Sequence, residues 1–242
     1  MSVPWLHRYT DTGSNNTGVA WTDTVISVDG WSVATDGKML LAIGDGGRQE
    51  FPPAPAEDED LDRGREEVRR MLTDPRQATG TTTLDALAVW CGFVQWCKCE
   101  ACQGGPHALY CEDCDGDGRW LPSPLHCRPG YIGGAFVDRN RLAWALAPEL
   151  WSLCSGTCAT LQVGSMRHRR SRARTLVLWN ARVHLVVARI DRRKWRQKGP
   201  YPTFHPDPEY QGLLLGGDEA RPILADWLEE HGDPYASVLR CG

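Results

Sequence analysis

Residues 25–43 read VISVDGWSVATDGKMLLAI, and this stretch decides the expected fold. Two Asp-Gly pairs, at 29–30 and 36–37, separate three runs of β-branched and apolar residues. Asp-Gly between two such runs is the strongest short-range signal for a β-hairpin. The stretch therefore predicts a three-stranded antiparallel meander.

The chain that follows combines predicted helices with further predicted strands. Helices are expected over 61–72, over 83–94 after capping candidates at 81–83, and over 139–150. Strands are expected over 131–137, 160–163, 174–179 and 183–190. Three strands alone cannot bury an apolar face, so the meander and the 131–190 unit should form one continuous sheet covered by the helix at 139–150. The predicted class is α+β with a mainly antiparallel sheet.

Composition indicates an ordinary globular chain. It has 242 residues, 41% apolar residues and a net charge of −4. Ten cysteines are too few for a secreted disulfide scaffold of this length, and residues 1–10 lack a signal-peptide pattern. No apolar run reaches the length that spans a bilayer. We therefore expect a cytoplasmic protein with reduced cysteines and no membrane partner.

Two C-x-x-C pairs predict a zinc site formed by Cys99, Cys102, Cys111 and Cys114. Eight residues separate the pairs, so that four thiolates can reach one tetrahedral Zn²⁺. Such a closed site is structural, because no position is open for water. Cys97, His107 or Cys127 could replace a ligand, and reduced or disulfide-bonded pairs without metal are the alternative.

Glycines follow both pairs, at 104–105 and at 116 and 118. Each unit resembles the C-x-x-C-x-G-x-G repeat of DnaJ-type co-chaperones. The second unit matches in full, and the first has its second glycine one position early. That family carries four repeats and two metals, so two repeats imply at most one metal, and chaperone activity is not implied.

Basic residues are concentrated in residues 167–198, which hold twelve Lys or Arg and one acid. The candidate phosphate-binding residues are Arg167, Arg169, Arg170, Arg172 and Arg174 at a predicted hairpin tip, and Arg192, Arg193 and Lys194 after the last strand. Two clusters bracketing a sheet would form a positive surface for nucleic acid, and a solvated Arg-rich loop is the alternative. A hairpin tip and the end of its second strand lie at opposite ends of a ribbon. We therefore expect that twist or curvature is needed to bring the clusters together.

The second hairpin turn lies in Ala34-Thr-Asp-Gly-Lys-Met-Leu40 and resembles the Ala-Thr-Asp-Gly hairpin of bacterial sliding clamps. The later order of strand, helix and three strands is similar to one clamp repeat. The resemblance implies a clamp-like domain over 19–96 and 119–198, with a zinc knuckle inserted at 97–118. An unrelated α+β sheet is the alternative. Processivity is not implied, because a ring contains several such domains.

The C-terminal sequence Ala225-Asp-Trp-Leu-Glu-Glu-His-Gly-Asp-Pro234 resembles the end of the planctomycete repeat-companion domain, with nine of ten positions matching. The pattern predicts a helix within 218–242 with Leu224, Trp227 and Leu228 inward and Gly232 at its end. Residues 1–18 are expected to be a flexible lead-in and 199–217 a Pro- and Gly-rich linker. The resemblance implies lineage and a docking role.

Catalytic signatures are missing from the sequence: it has no nucleophile elbow, phosphate-binding loop, dinucleotide fingerprint or deaminase motif. We therefore expect a non-enzymatic zinc-binding module that contacts nucleic acid or a nucleic-acid-bound complex. The alternative is a protein-interaction adaptor that uses the C-terminal helix. A third class is an enzyme whose residues carry no recognisable motif.

Overall fold

A computed structural model describes most of the chain. The described residues are 24–44, 59–73, 76–91, 97–98, 119–120, 129–146, 148–154, 159–167, 174–190 and 200–241, together with 6, 9, 10 and 22. Side chains are described for all of these except 59–60, 77, 97–98, 119–120, 140, 148–149, 152 and 241.

A seven-stranded antiparallel sheet organises the fold, with strand order β1-β2-β3-β11-β10-β9-β4. Its strands are β1 (Ile26–Val28), β2 (Trp31–Thr35), β3 (Met39–Gly44), β4 (Gln77–Thr83), β9 (Thr160–Arg167), β10 (Arg174–Trp179) and β11 (Val183–Val187). Two short ribbons accompany it: β5 (Cys97–Lys98) with β6 (Arg119–Trp120), and β7 (Gly130–Ile132) with β8 (Ala135–Val137).

Seven helices are described. They are α1 (Glu59–Thr73), α2 (Leu84–Trp90), α3 (Arg139–Ala145), α4 (Pro148–Leu153), α5 (Pro208–Leu215), α6 (Gly217–Glu230) and α7 (Ala236–Cys241). Thr83 caps α2, because its hydroxyl accepts a hydrogen bond from the Ala86 amide.

The predicted meander and the predicted continuous sheet are both confirmed. Strands β1, β2 and β3 pair antiparallel, with turns at Asp29-Gly30 and Asp36-Gly37. Met39–Ile43 then pairs with Val187–Val183, which joins the N-terminal strands to the 160–187 unit at the centre of the sheet. The α+β class with a mainly antiparallel sheet is therefore correct.

Helices cover both faces of the sheet. On one face, α1 contributes Leu61 and Val68 to a small core that contains Val177 and Val186. On the other face, a larger core includes Leu142 and Leu146 with residues of α2, α4, α5 and α6. The packed layer predicted from 139–150 is therefore present, but it is formed by two helices, α3 and α4, rather than by the single helix that was predicted.

Two β elements differ from the sequence prediction. Residues 131–137 are a hairpin rather than one strand, because Gly133 and Gly134 take φ values of 56° and 78° and form a two-residue turn. Such a turn needs positive φ at both central positions, which glycine adopts without a steric penalty. Strand β4 was not predicted, and it forms the edge of the sheet beside β9.

The C-terminal segment also differs from the prediction, because residues 199–217 do not form a simple linker. Helix α5 lies within them, capped by the Asp207 carboxylate, and Phe204 and Tyr210 are buried in the larger core. Tyr210 donates a hydrogen bond to the Thr203 carbonyl oxygen at 3.0 Å. These aromatic contacts attach the C-terminal helices to the sheet domain.

Candidate nucleic-acid interface

Three arginines lie at one end of the sheet. Arg167 on β9 is directly opposite Arg174 on β10, and these neighbouring strands are about 5 Å apart. The β10–β11 pairing ends at this end with Leu176 opposite Val187, and Arg189 follows two residues past the end of β11. We call these three residues the arginine row. With Lys38, they define what we call the basic end.

All four residues of the basic end are exposed. Within the described part of the chain, neither Arg167, Arg174 nor Arg189 forms an ion pair. Like charges directly opposite each other on paired strands destabilise a sheet. The row is therefore a place where a bound anion would relieve repulsion.

The expectation that the two basic clusters start from opposite ends of the sheet is wrong. Two strands, β10 and β11, separate the clusters, so the chain runs away from the 167–174 tip and then returns to it. The Ala188 amide donates to the Lys38 carbonyl oxygen at 2.8 Å, and the Ile190 amide donates to that of Phe136 at 3.0 Å. Arg167 and Arg174 of the first cluster therefore lie at the same end as Ile190, which precedes the second cluster in the sequence.

Only part of the predicted phosphate-binding set can be placed. Arg167 and Arg174 are at the basic end. Arg169, Arg170, Arg172, Arg192, Arg193 and Lys194 lie outside the described residues. Arg189 was not predicted, because strand alternation would place it on the inward face with Leu185 and Val187, whereas β11 ends at Val187 and Arg189 is exposed.

The Asp36-Gly37 turn is fixed to a helix at this end. The Asp36 carboxylate accepts hydrogen bonds from the amides of Lys38 and Met39, at 2.8 and 2.7 Å. Its other oxygen forms a 2.9 Å ion pair with Arg141 of α3, and both side chains are mostly buried. Asp36, the aspartate of the Ala-Thr-Asp-Gly sequence, therefore stabilises the turn, and its charge pairs with Arg141 rather than with the arginine row.

A groove of about 270 Å³ lies beside the row, between α1 and the sheet. Its lining includes residues of five strands, β2, β3, β9, β10 and β11. On its floor, Met166 lies opposite Thr175, and the Ala188 amide donates to the Lys38 carbonyl oxygen. Two residues further along the strands from Ala188 and Lys38, Val186 and Leu40 lie opposite each other. Along the wall, α1 contributes Glu67, Arg70 and Met71. We call this cavity the α1 groove.

Charge in the α1 groove is mainly positive. Among the described residues, Lys38, Arg70 and Arg167 line it together with one carboxylate, Glu67, which pairs with Arg70. Met166 in its floor and Met71 in its wall are both partly exposed. The groove therefore combines an apolar surface with a cationic rim.

The predicted zinc ligands Cys99, Cys102, Cys111 and Cys114 lie outside the described residues, as do the alternatives His107 and Cys127. The chain on either side of them is described. Cys97 pairs with Trp120 and Lys98 with Arg119, so the two ends of the 99–118 segment are adjacent. Among the residues that the structure describes, no group of three or more His, Cys, Asp or Glu side chains could hold a metal.

Buried polar contacts hold the C-terminal motif. Asp233 accepts a 2.9 Å hydrogen bond from His205, and the Tyr235 amide donates to its other oxygen at 2.8 Å. Burial alone raises the pKa of Asp233, but these hydrogen bonds outweigh burial and leave that pKa below its ordinary value. Gly232 has a φ of 68°, which ends α6 as the sequence predicts.

The inward face of α6 is used within the domain. Leu224, Trp227 and Leu228 are buried in the larger core, as predicted. Trp227 also stacks on His231, with ring centroids 3.7 Å apart. These residues are therefore occupied by intramolecular packing, and the outer face of α6 carries the exposed Ile223.

At the opposite end of the sheet, His184 has a structural role. Its Nδ1 lies 2.8 Å from the Arg76 guanidinium, which also donates to the Met71 and Leu72 carbonyl oxygens at the end of α1. Burial, together with the nearby Arg76 charge, lowers the pKa of His184 to about 4. His184 is therefore neutral at pH 7, and its Nδ1 accepts the hydrogen bond from Arg76.

Comparisons with protein-family models, with curated proteins and with solved structures found no match to this chain. In the part of the chain that the structure describes, no helix is long and apolar enough to cross a membrane. The sequence resemblances to DnaJ-type repeats, the repeat-companion domain and sliding clamps stay predictions.

Proposed function

We propose that this protein is a non-enzymatic zinc-binding module of the cytoplasm that contacts nucleic acid through the basic end of its sheet. The observation that carries the proposal is the arginine row: Arg167 and Arg174 on the paired strands β9 and β10, and Arg189 just past the end of β11. All three are exposed and without an ion pair to any described residue. Guanidinium groups bind phosphate oxygens through charge-assisted, often bidentate hydrogen bonds.

The chain around the row extends the same charge. Residues 168–173 connect Arg167 to Arg174 and contain three more arginines, and 192–194 follow Arg189 closely with Arg-Arg-Lys. Phosphate contacts supply affinity and orientation without reading base sequence. We therefore expect salt-dependent binding with little sequence preference.

Zinc belongs to this proposal as a structural element. Four cysteines in two C-x-x-C pairs supply a closed tetrahedral ligand set, and the β5–β6 ladder brings together the ends of the segment that carries them. Bound zinc would supply the folding free energy that a short segment without its own core lacks.

Charge reversal at the row tests the proposal. We would measure affinity for labelled single-stranded and duplex DNA at about 50 and about 200 mM salt, with wild type and an Arg167→Glu, Arg174→Glu, Arg189→Glu variant. Loss of three phosphate contacts should make the log–log salt slope less steep by about 2 on single strands and by about 2.7 on duplex.

Arg182→Glu is the matched control, because Arg182 is exposed in the β10–β11 turn at the opposite end of the sheet. This control should bind like wild type. If wild type does not bind at low salt, or if the triple variant binds as tightly as wild type, the nucleic-acid proposal is refuted. The protein-interaction adaptor would then be the better hypothesis.

A further inference from the structure

We infer that the α1 groove takes an unpaired base of single-stranded nucleic acid while the adjacent phosphates contact the basic end. This inference rests on the proposed function and names the form of nucleic acid that the same site prefers. It depends on features that phosphate binding alone does not need: a cavity, an apolar floor and hydroxyl groups inside it.

The position of the groove supports this assignment. Arg167 belongs both to the arginine row and to the lining of the groove, and Lys38 lies at the opposite side of the floor. A ligand in the groove is therefore next to Arg167 and Lys38, which can hold its phosphates. Arg174 is paired with Arg167, one position from the Met166–Thr175 pair of the floor, so its side chain starts on the other face of the sheet, and the nucleic-acid backbone reaches it over the end of the strands. The cavity is open to solvent, so a polymer can continue past it on either side.

The lining chemistry fits an aromatic base. Thioethers make favourable contacts with aromatic rings, and Met71 and Met166 are partly exposed at the groove. Thr175 lies beside Met166 on the floor, and its hydroxyl can donate to or accept from a base edge. Burial of a base between apolar side chains is how sequence-tolerant proteins bind single strands.

Duplex nucleic acid does not meet these requirements. Its bases are stacked and paired, and extruding one costs unstacking and unpairing energy. The same protein should therefore bind duplex through the arginine row alone and bind single strands through the row and the groove together.

The test compares three labelled oligomers of equal length: oligothymidine, an abasic oligomer with the same backbone, and a duplex. We expect wild type to bind oligothymidine about tenfold more tightly than the abasic oligomer, as one buried base would provide. Ala188→Phe fills the floor of the groove and should remove this tenfold preference. Affinity for the abasic oligomer and its salt slope should not change.

Ala181→Phe is the matched control, because Ala181 is exposed in the β10–β11 turn away from the groove, and this variant should keep the preference. Thermal unfolding checks that Ala188→Phe and Ala181→Phe both fold.

If Ala188→Phe does not fold, the groove inference is tested by the affinities of wild type for oligothymidine and for the abasic oligomer alone. Equal affinity of wild type for these two, with salt dependence retained, would overturn the groove inference and leave the proposed function standing. Absence of binding to all three would refute both.

Discussion

Protonation of His184 should make the protein less stable as the pH falls from about 7 to about 5. The pKa of His184 in the folded protein is about 4, below its ordinary value of 6.5. The unfolded chain therefore binds more protons between these values, so the free energy of unfolding falls as the pH drops through this window. At pH 7 His184 is largely neutral in both the folded and the unfolded chain, so almost none of the free energy of unfolding has been lost to its protonation.

The magnitude follows from the size of this pKa difference. If the full pKa difference between 6.5 in the unfolded chain and about 4 in the folded protein applied, the free energy of unfolding would fall by roughly 1.8 kcal/mol between pH 7 and pH 5. The ring is only partly buried, and solvent screening reduces this to about 1 kcal/mol. For a chain of this size, that loss lowers Tm by about 2–4 °C.

Urea unfolding of wild type and His184→Gln at both pH values measures this contribution. Glutamine does not titrate there, and its amide oxygen can still accept the hydrogen bond from Arg76. The pH-dependent loss should therefore be about 1 kcal/mol smaller in the variant. An NMR titration of the folded protein gives the pKa directly. If His184 titrates near 6.5, or if both proteins lose the same stability, the reasoning about its burial is refuted.

Two further outcomes are expected. Arg141→Met should lower the free energy of unfolding by about 1–3 kcal/mol, because it leaves the mostly buried Asp36 carboxylate without its ion-pair partner. Adding Asp36→Asn should recover part of this loss, and urea unfolding of the two single variants and the double variant measures it. If the losses of the two single variants simply add, the pair is not coupled. Metal analysis should find one zinc per chain in wild type and none in a Cys111→Ser, Cys114→Ser variant, and equal zinc in the two proteins would contradict the predicted ligands.

Local signals in the sequence were sufficient for the central part of the fold. The two Asp-Gly turns and the β-branched runs around them specify the meander, and the need to bury its apolar faces specifies the continuous sheet. The Gly133-Gly134 hairpin was missed, because the residues on both sides are apolar and suggest one uninterrupted strand. Strand β4 was missed because its Thr-rich sequence also suits a helix cap, and Thr83 serves both purposes.

Long-range packing explains what the sequence could not show. The 199–217 segment has the proline and glycine content of a linker, and only the buried contacts of Phe204 and Tyr210 make it part of the domain. Likewise, charge clustering predicted a phosphate-binding region, but Arg189 lies near Arg174 only because β11 returns to that end of the sheet. The α1 groove combines residues from a helix and five strands, so no single motif encodes it.

The pairing of β3 with β11 has a consequence for how this protein folds. About 150 residues separate Met39 from Val187, which are neighbours at the centre of the sheet. During synthesis, the meander can form early, but β3 remains an unpaired edge until β11 has left the ribosome. Pairing between such distant parts of the chain gives a high contact order, which predicts slow folding. Until β11 pairs with it, the open edge of β3 can associate with the edge strand of another chain.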